Sequence, residues 1–119
     1  MKSFTILYVR EVRASAQFYA DHLGLAVLEE SPGFAMLGLG PEAFLGLWKQ
    51  DGVSPAAGAQ IGGTELAISV EGRADVEARH RAWAGAGVTI LAEPTALDFG
   101  FSVTAADPDG HRLRVFAPA

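Results

Sequence analysis

Hydrophobic positions change their period in a regular order along the chain. Residues 4–9, Phe-Thr-Ile-Leu-Tyr-Val, are β-branched and aromatic without a clean polar alternation, which predicts a strand buried on both faces. Val12, Ala16, Tyr19 and Leu23 then recur at helical spacing with Phe18 beside them, so a helix is predicted over 13–23 with Ser15 in its first turn. Gly24 is placed to end that helix in the left-handed conformation. Residues 25–29 return to a strand pattern. Ser31-Pro32-Gly33 and Gly40-Pro41-Glu42 read as turns that separate two further strands, over 34–39 and 44–49.

Residues 51–63 carry four glycines and one proline with no periodicity, and read as a connector. Beyond them the same order begins again. Residues 65–70 predict a strand and 74–86 a helix, with Asp75 near its start, Val76 and Trp83 on one face and Gly87 to end it. Residues 88–91, 99–105 and 112–116 complete the series as strands. Setting Val9 on Val70 matches Leu7-Tyr8-Val9 with Ile68-Ser69-Val70, and Gly24-Leu25-Ala26-Val27-Leu28 with Gly87-Val88-Thr89-Ile90-Leu91 after a two-residue insertion. The chain therefore reads as an internal duplication of a βαβββ unit. The expected class is α+β: one domain over 1–119, built from tandem modules at about 4–49 and 64–117 with a linker at 50–63.

Composition narrows the function classes. Half of the 119 residues are hydrophobic and 19% are charged, as in a globular chain. The net charge of -5 comes without an acidic run and with scattered arginines, which argues against nucleic acid as a partner. No cysteine is present, so disulfides, thiolate metal sites and cysteine nucleophiles are excluded together. The N-terminus has no signal-peptide pattern, and no apolar run approaches the roughly 18 residues of a membrane span. A soluble, cytoplasmic protein with no membrane partner is the expectation. No serine sits in a glycine-flanked elbow before a helix, and the glycine-rich connector lacks the lysine and helix start of a phosphate loop.

Three features together resemble the vicinal oxygen chelate superfamily of glyoxalases, extradiol dioxygenases and antibiotic-binding resistance proteins. They are Val9-Arg10-Glu11 followed by Ser15-Ala16-Gln17-Phe18-Tyr19 and Leu23-Gly24; the duplicated βαβββ order; and Asp107-Pro108-Asp109-Gly110-His111. The likeness runs from Phe4 to about Phe116. It implies a curled mixed sheet that forms a cleft, with helices on the outer face. It also implies four inward-facing positions, one on the first and one on the last strand of each module, which hold a divalent metal in the enzymes. Here those positions fall on Phe4, Gly46, Glu65 and Arg114.

A hard metal needs several oxygen or imidazole ligands converging on one point. Phe4 and Gly46 supply no ligand atom, and the guanidinium of Arg114 has no free lone pair and stays charged. His22 and His80 lie on predicted helices, and His111 has the wrong strand parity to stand beside Arg114. No metal, no cofactor and no catalytic residue are therefore expected. Glu65 and Arg114 belong to one module and should be neighbours, either as a salt bridge that fixes the sheet or as an arginine partly open to a ligand.

Residues two apart share a face of a strand, so Phe4 brings Ile6 and Tyr8, and Gly46 brings Phe44 and Trp48. By the same rule Glu65 brings Ala67 and Ser69, and Arg114 brings Arg112 and Phe116. Such walls suit a flat aromatic ligand; the plain alternative is ordinary core. Leu97-Asp98-Phe99-Gly100-Phe101 reads as a rim loop over a ligand or as a β-turn with buried phenylalanines. Asp107-Pro108-Asp109-Gly110 is a turn with no functional demand, and His111 is structural.

The expected ligand-binding set is Phe4, Tyr8, Phe44, Trp48, Glu65, Phe99, Phe101 and Arg114. The leading expectation is a non-catalytic binder of small planar aromatic molecules, similar to the phenazine and bleomycin resistance branch, which sequesters aromatic antibiotics as a homodimer. The stretch from Thr95-Ala96-Leu97-Asp98-Phe99-Gly100 to Arg114 looks most like the phenazine-binding members. The alternatives are a metal-dependent lyase or dioxygenase of the same superfamily, and a dimeric module without a defined ligand.

Overall fold

A computed structural model describes residues 2–54, 56–57 and 61–119. The first compact unit comprises Met1–Ile61 and the second Gly62–Ala119. In the first, the order is β1 (Ser3–Val9), α1 (Val12–Leu23), β2 (Val27–Glu30), β3 (Phe34–Gly40) and β4 (Ala43–Lys49), followed by a short 3₁₀ turn at Gln50–Gly52. The second repeats it with β5 (Glu65–Ser69), α2 (Arg73–Gly85), β6 (Thr89–Leu97), β7 (Gly100–Ala106) and β8 (Arg112–Pro118). The α+β class and the two βαβββ modules follow directly. Four residues of the predicted linker at 50–63, namely 55 and 58–60, lie outside the described residues.

Each unit forms a four-stranded mixed sheet, in the orders β1-β4-β3-β2 and β5-β8-β7-β6. The first and last strands of each module pair in parallel, and the remaining neighbours are antiparallel. The registers repeat as well. Phe4 stands opposite Phe44 and Ile6 opposite Gly46, just as Glu65 stands opposite Arg112 and Ala67 opposite Arg114.

Alternation decides which face of each sheet its helix covers. In the first unit Leu7, Val9, Ala35, Leu37, Leu45 and Leu47 are buried together with Val12, Ala16 and Tyr19 of α1. In the second, Leu66, Val103, Ala105, Leu113 and Val115 are buried with Val76 and Trp83 of α2. Burying a large aliphatic side chain stabilises by about 1.5–3 kcal/mol, so these two layers carry most of the favourable energy of their units. Gly24 ends α1 at φ 68°, as its position predicts, and its N–H donates to the Ala20 carbonyl at 3.1 Å. At the start of α2 the Asp75 carboxylate accepts the Gly72 N–H at 3.1 Å.

Two sequence expectations are corrected. Strand β1 is not buried on both faces: Leu7 and Val9 are, but Phe4 is 51% exposed and Ile6 37%. Its unit has a single helix, and that helix covers only one side of the sheet. Strand β6 runs on to Leu97 rather than ending at Leu91, because two register shifts, between Ile90 and Ala92 and between Ala92 and Thr95, carry it past Pro94.

Candidate functional site

The face of each sheet that its helix leaves uncovered holds the predicted site residues, with the exception of Phe101. In the first unit these are Phe4, Ile6 and Tyr8 of β1 with Phe44, Gly46 and Trp48 of β4, joined by Phe34 and Met36 of β3 through the register Phe34↔Trp48 and Met36↔Gly46. Phe4 and Phe44 are stacked, with ring centroids 5.1 Å apart and planes at 23°. Trp48 makes near-perpendicular ring contacts with Tyr8, centroids 6.4 Å apart, and with Phe34, centroids 6.5 Å apart. Phe34 was not singled out from sequence, although its strand parity relative to Trp48 carries the signal.

Gly46 occupies the centre of this surface. A Cβ there would lie 2.5 Å from Cδ1 of Ile6 and 3.0 Å from Cζ of Phe34. Two apolar side chains fill the space that a metal-ligating side chain at position 46 would need.

In the second unit the equivalent strand position is Arg114, and it does meet Glu65. Its Nε donates to Oε2 of Glu65 at 3.1 Å and its Nη2 donates to Oε1 at 3.2 Å, a two-pronged pairing. Nη1 donates to the Ser102 hydroxyl at 2.7 Å. Ser102, a neighbour on β7 that the sequence reading did not name, shares this face through its register with Phe116. The Arg114 side chain is 17% exposed and that of Glu65 37%, so the pair is neither fully solvated nor sealed.

Phe99 joins this group and Phe101 does not. Asp98 and Phe99 form the two-residue turn between paired Leu97 and Gly100. The Phe99 ring lies 5.5 Å beneath the Arg114 guanidinium and 5.6 Å from the ring of Phe116, edge to face. Phe101 alternates with Ser102 and shares the helix-packed face with Val103, where the Arg73 guanidinium lies 4.6 Å over its ring. The segment is thus a tight β-turn, with one phenylalanine exposed beside Arg114 and the other partly buried on the opposite face.

Among the described residues, no group of three or more histidine, aspartate, glutamate or cysteine side chains converges as a metal site would. Both oxygens of Glu65 already accept from Arg114, and the fixed positive charge there disfavours a second cation. His22 packs against the Phe18 ring at 4.7 Å on α1, and His80 lies on α2. His111 is buried in the turn preceding β8, where its N–H and that of Asp109 both donate to Oδ1 of Asp107 at 2.9 Å. The residues at the four positions do not fit a metal ion.

A model of the glyoxalase/bleomycin resistance protein/dioxygenase superfamily matches residues 3–115, and the chain belongs to that superfamily. Among solved structures, a protein of Agrobacterium tumefaciens determined by NMR in solution is 45% identical, with a TM-score of 0.87 over 100% of this chain and 98% of that one. A glyoxalase-related enzyme from Fulvimarina pelagi is 23% identical, with a TM-score of 0.84 over 98% of this chain and 87% of its own. The lactoylglutathione lyase of Agrobacterium tumefaciens is 20% identical, with a TM-score of 0.81 over 98% and 92%. These last two share the fold. No curated protein matches the chain. No helix among the described residues is long and apolar enough to cross a membrane.

Proposed function

We propose that this chain is a non-catalytic binding protein for small planar aromatic molecules of an antibiotic-like kind, acting by sequestration as in drug resistance. The observation that carries the reading is the aromatic face of the first unit, on which Phe4 is 51% exposed and stacked on Phe44. Flat rings gain by stacking on such a surface, and Tyr8 and Trp48 extend it along the same two strands. Within the second unit, Arg114, Glu65 and Phe99 form a polar and aromatic cluster of their own, whereas Phe101 is turned to the other face and leaves the proposed set. The misfit of the four positions to a metal weighs against the lyase and dioxygenase chemistries that need one. Self-association as a homodimer is part of the proposal, and sedimentation equilibrium tests it.

Titration with phenazine tests the binding reading, with emission of Trp48 as the reporter. Saturable quenching is expected, and Phe4→Ala should weaken binding by about tenfold, the loss of roughly one stacking contact. Absence of saturation with phenazine and with a panel of other planar aromatics would overturn it.

A further inference from the structure

The pairing around Arg114 restricts the charge and polar edge of the ligand, on the premise that the ligand is a planar aromatic as proposed above. A guanidinium has five N–H donors. Glu65 takes two of them, one on Nε and one on Nη2, and the Ser102 hydroxyl takes one on Nη1. Among the described residues, one N–H on each terminal nitrogen is left to donate. Each Glu65 oxygen receives one bond from Arg114 and keeps further capacity to accept. Donors and acceptors thus lie side by side on a partly exposed pair whose formal charges cancel.

A carboxylate ligand drawn to Arg114 meets Glu65 at the same place and has to compete for the guanidinium against a partner already bound in two-pronged geometry. A cationic ligand drawn to Glu65 meets Arg114 in the same way. An uncharged edge with an acceptor next to a donor faces neither conflict. Its carbonyl accepts from Arg114 while its N–H or O–H donates to Glu65. The Phe99 ring, 48% exposed and 5.5 Å from the guanidinium, offers an aromatic surface next to that edge.

We infer that the Arg114–Glu65–Ser102 cluster recognises an uncharged planar ligand through an adjacent acceptor and donor, the edge of an aromatic carboxamide or lactam, and discriminates against the corresponding carboxylate. The preference is a difference between two affinities, set by the repulsive element as much as by the attractive one. Glu65 is the repulsive element for an anion.

Calorimetric titration at pH 7 with phenazine, phenazine-2-carboxamide and phenazine-2-carboxylate tests this. The carboxamide is expected to bind about tenfold more tightly than the carboxylate, and Glu65→Gln to reverse that order by releasing Arg114 for the anion. Arg114→Met is expected to bring the carboxamide to the level of unsubstituted phenazine. If the three-ring parent binds but the carboxylate equals or exceeds the carboxamide in the unmodified protein, or Glu65→Gln leaves the ratio unchanged, the edge reading is overturned and the aromatic reading stands. If none of the three binds and the panel of other planar aromatics fails as well, both fall.

Discussion

The two units place opposite chemistry at equivalent positions of the same strand pairing. In the first, the centre of the uncovered face is large on the opening strand and empty on the closing one, Ile6 opposite Gly46; in the second it is small and then large, Ala67 opposite Arg114. One register outward, the stacked Phe4 and Phe44 correspond to Glu65 and Arg112, and one register inward Tyr8 and Trp48 correspond to Ser69 and Phe116. The helix-packed faces, by contrast, are built mainly of aliphatic strand residues in both, Phe101 at the end of β7 being the aromatic exception. A duplicated scaffold keeps the face that folds it and lets the other diverge, because only the first is bound by close packing. Here divergence has made one surface apolar and aromatic, and the other polar and charge-paired.

The largest expected effect lies in the turn that sets Phe99 beside Arg114. Gly100 has φ 152°, and a Cβ there would run into the backbone carbonyl of Ala117, which cannot move aside as a side chain can. Gly100→Ala should therefore destabilise the chain by about 3 kcal/mol or more, read as a fall in the urea midpoint. A loss below about 1 kcal/mol would mean that the turn tolerates another backbone geometry, and the contrast with Gly46 would disappear.

At Gly46 the obstructing atoms are the ends of Ile6 and Phe34, so Gly46→Ala should cost less, about 1–2 kcal/mol of overpacking. Combining it with Ile6→Ala should recover about 1 kcal/mol relative to additivity, since the second change vacates the space the first needs. Strict additivity in the double-mutant cycle would contradict the exchange of volume between these two strands. The smallest effect is expected at the ion pair. Glu65→Ala should lower stability by about 1 kcal/mol at most, because the pair is partly solvated and screened. A cost of several kcal/mol would recast it as the structural centre of its sheet.

Much of this was legible in the sequence because a period of two is rigid within a strand. The resemblance supplies the four positions; setting Val9 on Val70 makes Phe4 equivalent to Glu65, and counting back from Trp48 and Phe116 makes Gly46 equivalent to Arg114. Glu65 and Arg114 do meet across β5 and β8, as expected of neighbours in one module. Parity failed where a strand was interrupted. Phe99 and Phe101 are two apart, but Phe99 belongs to the turn and the strand begins at Gly100, so the two rings diverge. The strand pattern ends at Leu91, and bulges that no local pattern announces carry β6 past Pro94 to Leu97. Exposure of Phe4 and Ile6 was equally hidden. A strand that is apolar on both faces does not state which face a helix will cover.

The claim that the family fold is kept here without the family's metal donors is tested most directly by the thermal midpoint of the purified protein with nickel, zinc, iron(II) or manganese added in turn. An ion held by the folded state alone raises that midpoint in a saturable way. An unchanged midpoint is expected for all four ions; a stoichiometric, saturable rise with any one of them, abolished by Glu65→Gln, would contradict the claim.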